Sequence, residues 1–276
     1  MNELQSLYLD LLKKTLIDFH RAGHTEYRPV KTGRKINLFI KPLLHRFASM
    51  EKRKLIICEK ITYNQEDRLN GKDWPAHAES MIGYKRLSNI QDCVIDVLRN
   101  NIEGDLIETG VWRGGAVIFM RAILKAFDIQ DRIVWAADSF QGLPRPDADK
   151  YPMDKEDTFY TFDELRVSLE QVKENFRKYG LLDEQVQFLQ GWFKDTLPVA
   201  PIKKLAVLRL DGDMYESTMD TLTALYPKLS PGGYIIIDDW GSVMGCRKAV
   251  EDYRRENNIN EKMETIDADG VFWQKH

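Results

Sequence analysis

Acidic residues gather at two points of this chain. Leu208-Arg209-Leu210-Asp211-Gly212-Asp213 runs from an apolar stretch into an Asp-Gly-Asp step, and Ile235-Ile236-Ile237-Asp238-Asp239 follows about one strand–helix unit later. If both stretches are strands of one parallel sheet, their carboxyl ends lie side by side at the edge where ligands bind. Asp211, Asp213, Asp238 and Asp239 then converge on one patch. Carboxylates that close raise one another's pKa unless a cation sits among them, and oxygen donors suit a hard metal ion. An isolated Asp-Gly-Asp is an ordinary turn. The second acidic pair makes it a candidate metal site.

Three other strand ends carry polar residues. Asp105-Leu-Ile-Glu-Thr-Gly-Val-Trp-Arg-Gly-Gly115 reads as strand, glycine turn and helix start, with Gly110 permitting close backbone approach to a ligand. It is not G-x-G-x-x-G, because Trp112 stands two places after Gly110. Glu108 closes the strand and suits an ammonium or hydroxyl donor; it also suits the dipole of the helix that follows. The next strand ends at Asp138-Ser139, where an acid can accept from ribose hydroxyls. The third ends at Gln190-Gly191-Trp192, whose indole can stack on a purine or fill core space. Sites for an amine, a ribose and an adenine together describe S-adenosylmethionine.

The elements that must position these residues fall into two regimes. Before about residue 100 the pattern is helical. Leu4, Leu7, Tyr8, Leu11, Leu12, Thr15, Leu16 and Phe19 follow helix spacing. A loop is expected around Arg28-Pro29, a second helix over Ile36–Glu59, a loop at Gly71–Pro75 and a third helix over His77–Leu98. From Gly104 onward strands (Asp105–Glu108, Ile133–Ala137, Val186–Leu189, Ala206–Leu210, Gly233–Asp238) alternate with helices beginning near Gly115, Asp163, Glu216 and Cys246. That alternation predicts a parallel sheet. Lys262–Ile266 and Val271–Gln274 flank an Asp-Gly turn and read as a hairpin. Tyr151–Phe162, acidic and aromatic without periodicity, reads as a long lid or binding loop.

Composition excludes several classes. A net charge of −3 gives no general attraction to nucleic acid. Cys58, Cys93 and Cys246 form no C-x-x-C, as expected of thiols in a reducing compartment. The N-terminus lacks the pattern of a secretory signal and no apolar run reaches the roughly 20 residues that span a bilayer, so the cytoplasm is expected. The basic run from Lys31 to Lys54 reads as a solvated helix face. His77 and the other histidines show no metal-like spacing.

The chain resembles class I methyltransferases, and among them the macrocin O-methyltransferase family, which acts on sugars of macrolide and aminocoumarin antibiotics. The resemblance rests on D-W-P-A-H-A-E-S-M-I-G-Y-K-R-L (Asp73–Leu87), L-I-E-T-G-V-W-R-G-G (Leu106–Gly115), A-D-S-F-Q-G-L-P (Ala137–Pro144) and G-W-F-K-D-T-L-P (Gly191–Pro198). It continues through R-L-D-G-D-M-Y-E-S-T-M-D (Arg209–Asp220), P-K-L-S-P-G-G-Y-I-I-I-D-D (Pro227–Asp239) and G-V-F-W (Gly270–Trp273). It implies a Rossmann-like seven-stranded sheet with a C-terminal antiparallel hairpin. Residues 1–100 are expected to form a helical N-terminal extension or lid, and residues 101–276 the S-adenosylmethionine-binding catalytic domain. It implies magnesium-dependent methyl transfer to a sugar hydroxyl of a natural-product glycoside, within antibiotic biosynthesis. Asp211, Asp238 and Asp239 look like the metal ligands, with Asp211 as proton acceptor and Asp213 as the alternative. Met81, Glu108, Thr109, Gly110, Val111, Asp138, Ser139, Gly191 and Trp192 look like the cofactor shell. The more distant catechol O-methyltransferases carry a lysine three places after the first metal aspartate; here that place is Met214, so a lysine base is absent.

A phenolic, catechol or other vicinal-diol acceptor is the alternative substrate. A nicotinamide-dependent oxidoreductase and a non-catalytic binding protein are the competing classes. The expected partners are the small-molecule glycoside and a second copy of the chain, with no nucleic acid and no membrane.

Overall fold

In the computed structural model, which describes residues 1–23, 25–29 and 58–276, the N-terminal region is helical with one small sheet. Helix α1 (Glu3–Leu16) is capped by the Asn2 side chain. Strands β1 (Thr25–Pro29) and β2 (Cys58–Thr62) pair antiparallel, followed by α2 (Gln65–Leu69) and α3 (Gly83–Arg99). The loop expected at Arg28-Pro29 is therefore part of a strand, in a sheet that has two strands among the described residues, where an edge position tolerates proline. The helix expected over Ile36–Glu59 ends in strand at Cys58–Glu59; its remainder, with the Lys31–Lys54 basic run, lies outside the described residues.

The alternating part of the chain forms one seven-stranded sheet in the order β5-β4-β3-β6-β7-β9-β8. Its strands are β3 (Asp105–Thr109), β4 (Val134–Asp138), β5 (Val186–Gln190), β6 (Leu205–Leu210), β7 (Leu229–Ile237), β8 (Glu264–Thr265) and β9 (Val271–Gln274). Strands β3 to β7 run parallel, and β9 returns antiparallel between β7 and β8. The expected sheet and hairpin are both present. The order reverses at β3, which opens a crevice at the carboxyl ends of β3 and β6.

Helices cover both faces. Leu9, Leu12 and Leu16 of α1, Leu87 and Ile90 of α3, Val172 and Phe176 of α5 (Leu169–Lys178) share one core with α4 (Gly115–Ala126). Apart from Arg121, helix α4 is apolar from Gly115 through Leu124 and buried over that whole length, as suits a helix inside a layered fold. On the opposite face α7 (Tyr215–Leu225) and α8 (Met244–Glu256) place Leu222, Leu225, Val250 and Tyr253 against the sheet, next to the short α6 (Phe193–Thr196). Every residue of β6 is buried, as expected of a central parallel strand.

Helices α3 and α5 begin later than expected, and the buried face of α1 is narrower. Helix α3 begins at Gly83 rather than His77. The intervening backbone is committed elsewhere: the N–H groups of Glu79 and Ser80 donate to Leu16 O, and Glu79 O accepts from Gly115. Helix α5 begins at Leu169 behind a Ser168 cap, while Asp163–Leu165 forms only a 3-10 turn. In α1 the buried stripe is Leu9, Leu12 and Leu16, whereas Leu4, Leu7 and Leu11 are exposed. The two leucine sets lie on different faces at 3.6 residues per turn, and only one faces α3 and α4. No helix among the described residues is long and apolar enough to cross a membrane.

Candidate active site

Strand register explains why the acidic residues meet. Glu108 of β3 is the lateral neighbour of Arg209 in β6, and Arg209 is the lateral neighbour of Ile236 in β7. Side chains alternate along a strand, so Asp211 and Asp238, each two residues further on, come to the side that Glu108 and Arg209 occupy. The Arg209 guanidinium lies at the centre, fully buried. Its Nη1 donates to Glu108 Oε1 and, at 2.8 Å, to Asp211 Oδ2, while Nη2 donates to Asp238 Oδ1. Arg86 of α3 donates to the other oxygen of Asp238 at 2.6 Å and to Asp267 Oδ2 at 2.9 Å.

The remaining carboxylates lack such partners. Among the described residues no basic side chain pairs with Asp213 or Asp239; Asp239 Oδ2 accepts only the backbone N–H of Asp213, at 3.2 Å. Burial and then the charge of Asp238 push Asp211 up to about 6. Asp213 and Asp239 are held well above the usual carboxylate range, by burial first and then by their acidic neighbours. Burial also raises Glu108 to about 8 against the opposing charge of Arg209, and its Oε2 is buried without a partner.

One oxygen each from Asp211, Asp238 and Asp239 lies within 4.8 Å of the other two. Magnesium holds oxygens about 2.1 Å away, so opposite ligands stand about 4.2 Å apart. The donor chemistry and spacing of this group fit such an ion after a small contraction. The excess of carboxylates over arginines supplies the charge that a cation would neutralise.

These groups form the floor of a cavity of about 380 Å³. Met81, Glu108, Gly110, Val111, Asp138, Ser139, Gly191, Trp192, Asp211, Asp213, Asp238 and Asp239 all line it. Thr109 does not: it is fully buried and its hydroxyl faces Arg209 O at 3.4 Å. Gly110 has φ 85°, and a Cβ there would overlap the carbonyl oxygen of Asp211. The glycine is thus required by the approach of the β6 end to the β3 end, beyond any approach of a ligand. Asp138 is a tie as well as a wall: Oδ2 accepts from Val111 N at 2.8 Å and Oδ1 from Phe140 N at 2.7 Å. The Ser139 hydroxyl donates to Gly142 O at 2.7 Å. His77 is exposed and lies outside this cavity.

Arg209 and Arg86 were not among the expected site residues. Arg209 carried a signal, since an arginine inside an apolar central strand must be paired to be buried. Arg86 carried none, because its partners Asp238, Asp267 and Asp269 are far away in sequence.

Residues 5–275 match the family model described as macrocin-O-methyltransferase (TylF). The chain is similar to demethyldecarbamoylnovobiocin O-methyltransferase of Streptomyces niveus, 59% identical over 215 residues (78% of this chain, 82% of the relative). It is 46% identical over 272 residues (98% and 96%) to mycinamicin III 3''-O-methyltransferase of Micromonospora griseorubida. The solved structure of the O-methyltransferase NovP superposes with a TM-score of 0.83 at 49% identity, covering 98% of this chain and 99% of that one. With all of these relatives named as O-methyltransferases, the oxidoreductase alternative falls. The chain belongs to the macrocin-O-methyltransferase family and is an O-methyltransferase.

Proposed function

We propose that this protein transfers the methyl group of S-adenosylmethionine to a sugar hydroxyl of a natural-product glycoside, with magnesium held at Asp211, Asp238 and Asp239. The observation that carries this reading is the presence of the carboxylate group and the β3, β4 and β5 ends in one cavity. The names of the relatives support the acceptor, since one methylates a mycinamicin at a 3'' position and another a rhamnosyl-tetracenomycin at a 4' position.

S-adenosylmethionine would supply the electrophilic methyl, and the unpartnered Glu108 Oε2 would accept from its ammonium. Asp211, Asp238 and Asp239 would hold the magnesium, which would supply Lewis acidity toward the acceptor hydroxyl. Arg209 and Arg86 hold Asp238 from both of its oxygens and so fix one corner of the metal group. Val111 N–H and Phe140 N–H fix Asp138 on the wall beside it, and Trp192 offers an aromatic surface to the nucleoside.

The proton acceptor expected at Asp211 is better supplied by Asp213. Asp211 already receives Arg209 at 2.8 Å and belongs to the metal group. Asp213 carries no basic partner among the described residues and is set on the cavity wall by a left-handed backbone, φ 59°. A proton leaving the acceptor hydroxyl would pass to it over a distance set by geometry rather than by intrinsic basicity.

The test offers the purified chain S-adenosylmethionine with an unmethylated glycoside, with the matching aglycone, and with a simple catechol. Methylation of the sugar alone, located by NMR of the product, supports the reading. Methylation of the aglycone or catechol in its place would overturn it in favour of a phenolic acceptor.

A further inference from the structure

The segment between β4 and α5 roofs the cavity, with Gly142, Leu143, Pro144, Phe159 and Leu165 among its lining. In the middle of this segment one carboxylate, Asp154, is 2% exposed. Its carboxylate meets the start of α7. Asp154 Oδ1 accepts the backbone N–H of Tyr215 at 2.7 Å, and Oδ2 accepts that of Glu216 at 3.0 Å. Helix N-termini leave such N–H groups without intrahelical partners. The local N-cap residue of α7, Met214, has no side-chain bond to give them. The cap comes instead from a distant loop, with the charge that a helix N-terminus favours.

A second observation shows that the neighbourhood is shaped for this carboxylate. Gly245, in the first turn of α8, packs so closely that an added Cβ would stand 2.6 Å from Asp154 Oδ1 and 2.9 Å from Tyr215 N. Beside it the Tyr151 and Tyr215 rings lie 5.8 Å apart. The helix so capped directly follows Asp211-Gly212-Asp213, and Glu216 and Ser217 of its first turn line the cavity.

We propose that Asp154 is a positioning residue that latches the cavity roof to the helix carrying the Asp-Gly-Asp turn, and so sets the acceptor side of the site. This rests on the proposed reaction, but the latch itself does not depend on which hydroxyl is methylated. The β3, β4 and β5 ends, assigned above to the methyl donor, are held by other bonds, the β5 end by the Gly191 N–H donating to Asp138 O at 2.9 Å. Loss of the latch therefore acts on the acceptor and spares the donor.

The experiment compares the full-length protein with Asp154→Ala, Asp154→Asn and Gly245→Ala. Three quantities are read: the KM of the glycoside against that of S-adenosylmethionine, the Kd of S-adenosylhomocysteine, and the rate of tryptic cleavage at the exposed Lys150 and Lys155. Asp154→Ala should raise the glycoside KM roughly tenfold, the size to which a lost helix cap converts. It should leave the Kd within about twofold and speed cleavage by a similar factor, since local opening governs proteolysis. Asp154→Asn, which keeps one acceptor oxygen, should recover part of both effects. Gly245→Ala should reproduce them while favouring helix propensity, which separates a lost latch from a weakened fold. A lower melting temperature with unchanged glycoside KM and cleavage rate would reduce Asp154 to a helix cap and overturn the proposal. So would an equal rise in both KM values. If the wild type methylates no glycoside, the proposed function fails, while the cleavage and Kd measurements still decide the latch.

Discussion

Glu108 and Arg209 stand side by side in the register of β3 and β6, and the arginine's guanidinium joins that glutamate to Asp211 and Asp238. One buried cation thus connects the carboxylate at the proposed methyl-donor end of the cavity with two at the proposed metal end. Without it, three carboxyl groups from neighbouring strands would face one another.

Replacing Arg209 with methionine keeps the bulk and removes the charge. Taking away one partner of a buried ion pair typically costs about 3–5 kcal/mol. Denaturant unfolding of Arg209→Met should show a loss of that order, and of more than 1 kcal/mol at the least. An unchanged midpoint would mean that the charge of Arg209 contributes nothing to stability.

In the proposed reaction Asp211 and Asp213 have different roles. Asp211→Asn should weaken magnesium binding and turnover together, with S-adenosylhomocysteine binding largely retained. Asp213→Asn should keep magnesium binding but lower kcat by about 10²-fold or more, the usual size of a lost general base. Calorimetry with magnesium alone, beside single-turnover rates, distinguishes the two. Near-normal turnover of Asp213→Asn would return the proton to Asp211.

Gly110→Ala tests the contact between strand ends. Both the left-handed φ of 85° and the overlap with Asp211 O oppose a side chain there. The variant should lose stability by more than the roughly 1 kcal/mol of an unfavourable left-handed residue, and magnesium affinity should fall with it because Asp211 is displaced. A variant as stable and as active as the wild type would show that the β6 end gives way freely.

The parts of this account legible in the sequence are those with a short-range signature. Apolar runs ending in acids located β3, β4, β6 and β7, and the glycine turn located the start of α4. Asp-Gly located the β8–β9 hairpin. The N-terminal region was less legible because its structure is set by partners far along the chain. Glu79 and Ser80 are held out of helix by Leu16 and Gly115, and nothing in their own sequence says so. The same holds for the site: the aspartates announced themselves as pairs, whereas Arg86 and Asp154 act on groups that only the fold brings near.

Acid stability should depend on Asp183. Its hydrogen bond with Arg121 at 2.6 Å holds the carboxyl below its usual value, with the arginine's charge as a further cause. A lowered folded-state pKa means that the stabilisation is fully present above the unfolded value of about 3.9 and is lost as pH falls through the folded value. Asp183→Asn should therefore be less stable than the wild type at pH 6, with the difference shrinking as pH falls below 4. A difference that stays constant down to pH 2 would show that the pair contributes through packing and not through ionisation.

The central claim is that magnesium at Asp211, Asp238 and Asp239 activates a sugar hydroxyl for methylation. Its most direct test is the mass of an unmethylated glycoside after incubation with the protein and S-adenosylmethionine, stripped of divalent ions by chelation and then resupplied with magnesium. The account predicts no product in the stripped sample and a gain of one methyl group when magnesium is restored. Equal methylation in both samples would contradict it.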